Sequence, residues 1–226
     1  MKRARGLALI EVLVAMAILS MMVFSVWSTF SSTLSGMERS EKIQLRYSMV
    51  RTALSRMTAE LGMAYLSFNR PPDEAKHFTL FEGRNEFDAD TLTFSSFTHL
   101  RLRKDAKESD QTVIQYFLGP DRDGEGVHLY RREARRLTGD LPEHLGEYVA
   151  AYILCEHVEF LDFKYWDVKE EAWRDDWSTV SNDAQPDRLP TRVMIRLGIR
   201  DGDEEIEIYS AQTQLFLQEK VDLGRG

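Results

Sequence analysis

The sequence predicts an α+β protein: a long N-terminal helix that begins as a membrane span, followed by an antiparallel β-rich domain. Three observations predict it. No proline occurs between Met1 and Pro71, and no charged residue from Val12 to Met37. Pro71-Pro72 then breaks the pattern. The chain beyond is a series of short apolar–polar alternations separated by turn signals.

The first element opens Gly6-Leu7-Ala8-Leu9-Ile10-Glu11, with Lys2, Arg3 and Arg5 just before it. About 20 apolar residues cross a hydrocarbon core, and residues 8–30 supply them. A basic flank stays on the cytoplasmic side. A secretory signal peptide has an apolar stretch of only about 7–15 residues ending in a small-residue cleavage site; this run is longer and has no clear site of that kind. A plain membrane anchor accounts for the length and the flank, but not for Gly6 or for Glu11. A carboxylate at bilayer depth is expensive and marks function.

The helix is predicted over residues 7–66, roughly 90 Å at 1.5 Å per residue. Its first half is apolar all round. Over residues 38–66 it turns amphipathic. Ile43, Tyr47, Val50, Leu54, Met57, Leu61 and Ala64 recur at alternating spacings of 4 and 3, with Arg46, Arg51, Arg56 and Glu60 at polar positions between them. Such a stripe packs on the chain's own domain. Gly36 and the Ser31–Ser35 cluster are the weak points of the helix.

The domain is predicted over residues 72–226. Thr91 to Phe94 and Leu100 to Arg103 alternate as strands. Thr112–Leu118 and Val127–Arg132 flank a Gly/Pro/Asp turn and form a hairpin, as do Val158–Trp166 and Trp173–Trp177 around residues 167–171. Val193, Ile195, Leu197 and Ile199 alternate with arginines, and Asp201-Gly202 turns that strand into residues 205–217. Residues 178–189 form a polar loop, and 141–150 a short helix or turn.

Net charge is −8, and removal of Lys2, Arg3 and Arg5 with a leader takes it to −11. That balance disfavours nucleic acid, whose binding rests on neutralising phosphates. Cys155, the single cysteine, excludes an intrachain disulfide and sits in an apolar run as a buried thiol. The histidines show no metal-ligand spacing, and no nucleophile elbow or phosphate loop is present. Asp121, Asp123 and Glu125 faintly suggest calcium. The glycines sit at loop positions 4 and 6, however, and the twelfth residue is Arg132 rather than glutamate, so a solvated turn is the reading. The acidic turn at Asp201–Glu205 reads likewise. Trp166, Trp173 and Trp177 read as packing residues. No metal and no cofactor is expected.

The basic residues, Gly6, the apolar positions and Glu11 together resemble the leader of the type IV pilin and pseudopilin family. Leu7 stands where phenylalanine is commonest and Ala8 where threonine is common. The resemblance implies that a prepilin peptidase cuts between Gly6 and Leu7, removing leader residues 1–6, and that Leu7 is then N-methylated. The new α-amine, with a pKa near 8, and the Glu11 carboxylate each carry a desolvation cost of several kcal/mol in an apolar setting. Pairing Glu11 with the Leu7 amine of an adjacent subunit removes much of it and sets the stagger of the helices.

Further along, LTFSSFTHLRL (92–102), VIQYFLGPDRDGEGVHLYRRE (113–133), VEFLDFKYWDVKEEAWRDDW (158–177) and LPTRVMIRLGIRDG (189–202) occur in an order that resembles the J-type minor pseudopilins of type II secretion. That resemblance implies a non-enzymatic subunit of the inner membrane with a periplasmic domain. Its implied site is the pseudopilus tip, beside I- and K-type minor pseudopilins, the major pseudopilin and possible secreted substrates. A minor pilin of a type IV pilus or DNA-uptake system is the alternative, and a membrane-anchored periplasmic enzyme a third reading. Glu11→Leu is expected to leave membrane insertion intact and abolish filament assembly and secretion; normal secretion by the variant would show that Glu11 does not set register.

Overall fold

The computed structural model describes residues 4–69, 79–99, 109–121, 124, 126–134, 145–147, 149–200 and 205–222, with side chains in the first helix from Leu9 onward. The chain forms two compact units, Met1–Ser48 and Met49–Gly226.

Helix α1 spans Ala4–Gly62 without interruption through Gly36 and the serine cluster. Ser20, Thr29, Thr33 and Ser35 each donate their hydroxyl to the carbonyl four residues earlier, at 2.8–3.1 Å. Those bonds satisfy these four hydroxyls within the helix itself. The helix ends four residues before the expected Leu66, for a tertiary reason. Met63 and Ala64 close it with i→i+3 bonds to the carbonyls of Glu60 and Leu61, and the Tyr65 amide then donates to Ser95 at 3.1 Å. The chain leaves the helix to pair with a strand well ahead of the prolines at 71 and 72, which lie outside the described residues.

Among the described residues ten strands follow: β1 Phe81–Arg84, β2 Thr91–Ser96, β3 Thr112–Pro120, β4 Val127–Ala134, β5 Ala151–Cys155, β6 Val158–Asp167, β7 Ala172–Arg174, β8 Trp177–Ser178, β9 Arg192–Ile199 and β10 Glu207–Gln214. They make a six-stranded sheet, β5-β4-β3-β2-β1-β8, and a four-stranded sheet, β10-β9-β6-β7. All ladders between these strands are antiparallel. The β3–β4 hairpin forms as expected, with Val113 opposite Ala134 and Pro120 opposite Val127. Its turn uses Gly124 and Gly126 at φ 78° and 103°, where a Cβ would be strained. The β6–β7 hairpin is shorter than expected. β7 stops at Arg174, and Trp177 crosses to pair with Gly83 in the other sheet, because its indole is large enough to be worth burying completely. The expected strand around Leu100–Arg103 and the Asp201-Gly202 turn lie outside the described residues. Leu145–Glu147 form the helical turn expected within 141–150.

One core joins the second half of α1 to both sheets. Val50, Ala53, Met57 and Leu61 of α1 meet Phe81, Phe94, Ile114 and Tyr116 of the larger sheet and Leu161, Phe163, Val193, Ile195 and Leu197 of the smaller one. The predicted stripe is therefore buried from Val50 onward, while Ile43 and Tyr47 stay exposed. Cys155 is buried, and burial pushes its thiol up to about 12, which leaves the thiolate scarce and the sulfur inert.

The sheets approach closely at Gly83. A Cβ there would lie 1.9 Å from the Tyr165 hydroxyl, itself fully buried. Gly83→Ala is expected to cost about 1–3 kcal/mol through overpacking, read as a lower denaturation midpoint at unchanged slope; a variant as stable as wild type would show that Tyr165 can move aside.

Candidate assembly site

The sequence-predicted site residues all fall on α1. Gly6 and Leu7 belong to its first turns, and Glu11 is exposed. Glu11 follows Leu7 by four residues, about 6 Å along the axis and on the same face. Leu9, Leu13, Met16, Leu19, Phe24 and Trp27 are at least half exposed, so this helix surface has no apolar cover from its own chain among the described residues. It is also a helix long and apolar enough to cross a membrane.

A second cluster, which sequence spacing missed, ties the other end of α1 to the sheet. Glu60 stood among the polar positions of the amphipathic half, yet its side chain is only 8% exposed. Arg131 of β4 explains this. Its Nη2 donates to Glu60 Oε1 at 2.8 Å, and its Nε lies 3.1 and 3.0 Å from the two carboxylate oxygens. The Tyr116 hydroxyl of β3 donates to Glu60 Oε2, and Arg56 adds a bond to Oε1 at 3.0 Å from one turn earlier on α1. On its far side Arg131 Nη1 meets Glu133 Oε2 at 2.8 Å, and Glu133 Oε1 lies 2.6 Å from His99 Nδ1. The Ser96 hydroxyl caps the Glu60 carbonyl at 2.9 Å.

The electrostatics follow from the geometry. Burial alone would lower the Arg131 pKa, but the bonds and charge of Glu60 outweigh it and raise it. Burial, then the Glu60 carboxylate, raise Tyr116 and keep its hydroxyl a donor. Burial raises Glu133, yet the bonds from His99 and Arg131 win, so it lies below the ordinary carboxylate range. This is a chain of paired charges that locks helix to sheet. Arg131 and Glu133 belong to the YRRE segment already quoted, which was the one available signal; Glu60 carried none.

A third cluster pins the β6–β7 hairpin. Asp167, with no exposed side-chain surface, accepts from both Arg188 terminal nitrogens, from Arg174 Nε at 3.1 Å and from the Lys169 amide at 2.9 Å. The Arg188 bonds, foremost, hold its carboxyl far below the usual range. The Arg188 guanidinium also lies over the Trp177 ring, 4.9 Å from its centroid.

Asp121 is placed in the β3–β4 turn, whereas Asp123, Glu125 and Asp201–Glu204 lie outside the described residues. Among the described residues no three His, Cys, Asp or Glu side chains group as metal ligands. Trp177 is buried, and Trp166 and Trp173 pack edge-to-face across the hairpin with centroids 5.4 Å apart.

Comparison with known families decides the class. The model for type II secretion system protein J matches residues 28–210. The chain belongs to that family. A second model, the prokaryotic N-terminal methylation motif, matches residues 1–27, the span that carries Gly6, Leu7 and Glu11. The protein is thus a minor pseudopilin of type II secretion. Comparison with curated proteins gives no match. Among solved structures, one similar chain comes from the GspK-GspI-GspJ complex of the enterotoxigenic Escherichia coli type 2 secretion system. It is 12% identical with a TM-score of 0.49, covering 75% of this chain and 97% of that one.

Two outcomes test the clusters. Glu60→Gln should destabilise the domain by about 3 kcal/mol, because it leaves a buried guanidinium short of its partner, whereas Glu60→Leu/Arg131→Met should recover much of the loss; chemical denaturation of the three proteins checks both. The folded pKa of Asp167 is depressed, so its stabilisation is present above the unfolded carboxylate pKa near 4 and is lost as pH falls through the lower folded value. Asp167→Asn should therefore lower the denaturation midpoint at pH 7 and flatten its decline below pH 4.

Proposed function

We propose that this minor pseudopilin works in the tip complex of the pseudopilus, beside I- and K-type minor pseudopilins and above the major pseudopilin. There it initiates filament assembly for export of folded proteins across the outer membrane. The observation that carries the proposal is the joining, in one uninterrupted helix, of an N-methylation motif to the J-family domain.

In this reading residues 8–30 hold the subunit in the inner membrane in a single pass, with residues 72–226 in the periplasm. A prepilin peptidase cuts after Gly6 and the Leu7 amine is methylated. Glu11 then pairs with the Leu7 amine of a neighbour as the helix leaves the lipid. Pairing is favoured because either charge alone in an apolar environment is costly. The domain performs no catalysis. It is held rigid on its helix by Glu60 and Arg131, so that force applied to the helix moves the whole subunit.

Intact mass and N-terminal analysis after expression with and without a prepilin peptidase test this. Loss of residues 1–6 and a methylated Leu7, only with the peptidase, is the expected result. An intact Met1 with an active matching peptidase would return the N-terminal segment to a plain anchor. Co-purification with the I- and K-type partners distinguishes the tip complex from a pilus machine.

A further inference from the structure

Four non-glycine residues stand at positive φ among the described residues, and three of them, His157, Glu171 and Asp187, are polar. The fourth is Phe87, at φ 60° in the turn between β1 and β2. A bulky side chain rarely adopts that left-handed region, because its Cβ crowds the following carbonyl oxygen, and the conformation costs free energy. Burial of the ring could offset the cost, yet Phe87 is 94% exposed. No other large apolar side chain among the described residues is as exposed; in the apolar half of α1 the most exposed, Met21, reaches 75%. The ring therefore stabilises its own domain neither through its backbone nor through its burial.

The turn is nevertheless held fixed. The Phe87 amide donates to Asn85 Oδ1 at 3.2 Å, and the Ala89 amide to the Glu86 carbonyl at 3.3 Å. Asp90, 1% exposed, accepts the Glu86 amide at 3.0 Å on one carboxylate oxygen and the Phe163 amide of β6 at 2.9 Å on the other. The Leu161 amide donates to the Asp88 carbonyl at 2.8 Å, and the Asp90 amide to the Leu161 carbonyl at 3.0 Å. An aromatic ring on a turn tied down in this way is ordered before it meets anything, as an interface anchor must be to bind at little entropic cost. Strain kept at an exposed but fixed position points to function.

The neighbours of the ring indicate what it meets. Glu86 and Asp88 flank it, both exposed, and neither pairs with a cation among the described residues, since Arg84 is bonded to Glu82. We propose that Phe87 is an anchor that enters an apolar pocket rimmed by lysine or arginine on another protein, with Glu86 and Asp88 meeting the rim. A second copy of this chain, of net charge −8, suits two further carboxylates poorly, and an anionic bilayer repels them. The choice of proteins for the test rests on the tip-complex reading above.

The full-length chain in detergent is titrated with the I- and K-type minor pseudopilins of the same secretion system. Phe87→Asn removes the ring and supplies a residue that tolerates positive φ. It should melt no lower than wild type and bind the partners about tenfold more weakly. Loss of binding without loss of stability separates an anchor from a packing residue. Val168→Asn, which removes an exposed apolar side chain from the β6–β7 turn, should bind normally. Wild-type affinity should fall as salt is raised, and Glu86→Gln/Asp88→Asn should bind more weakly at low salt and lose most of that dependence. Undiminished binding by Phe87→Asn, a lowered melting temperature, equal weakening by Val168→Asn, or salt-independent wild-type binding would overturn the proposal and leave the tip complex standing. Self-association of this chain alone that Phe87→Asn abolishes would make a second copy the occupant. Protection of residues 85–88 from hydrogen exchange in anionic nanodiscs without partners would make the bilayer the occupant, and either result overturns the proposal. If wild type binds neither partner, the tip-complex reading fails with it.

Discussion

The bidentate pair between Glu60 and Arg131 is the interaction on which the rest of the domain depends. It is the point where the helix and the larger sheet are joined by charge as well as by apolar contact. A buried carboxylate facing a buried guanidinium is tolerable only when both are fully bonded, and here both are. Glu60 has Arg131, Tyr116 and Arg56, and Arg131 has Glu60 and Glu133. The pair specifies position more than it adds stability. Apolar residues along α1 could slide by a turn against the sheet at modest cost, but Glu60 can meet Arg131 at one register only. That fixed register ties the second half of α1 to the larger sheet.

The same logic recurs where the two sheets must be held together. Asp90 takes the place of a missing strand by accepting the Phe163 and Glu86 amides. Its burial raises its pKa against the opposing effect of those bonds. It therefore contributes to stability with the opposite pH dependence from Asp167, whose arginine partners depress its pKa. Arg188 binds Asp167 while lying over Trp177, and the Trp177 indole donates to the Arg188 carbonyl at 2.8 Å. The irregular 178–189 segment is thereby stitched to both sheets.

The N-terminal half of α1 obeys a different requirement. Its apolar side chains are exposed, and four of its hydroxyls are satisfied within the helix. Such a surface is apolar enough to suit lipid, and a carboxylate such as that of Glu11 is costly there. The helix thus has an exposed apolar segment and a segment buried in the domain core, divided near Ser48.

Sequence by itself determined the parts whose physics is local. A proline-free, charge-free run dictates a helix, and strict alternation at Val193–Ile199 dictates a strand buried on one face, with 0–1% exposure at all four apolar positions. The dense β-former runs around a Gly/Asp turn dictate the β3–β4 hairpin. The leader residues and their spacing also pointed to the family before any fold was visible. Tertiary structure alone decided the rest. Glu60 reads as a surface residue until Arg131, 71 positions away, arrives to pair with it. The helix stops at Gly62 because Ser95 offers Tyr65 a hydrogen bond. Trp177 abandons its hairpin for the other sheet because complete burial there outweighs local pairing. Each is a long-range contact, and the free energy of such a contact is written in no stretch of sequence shorter than the two segments it joins.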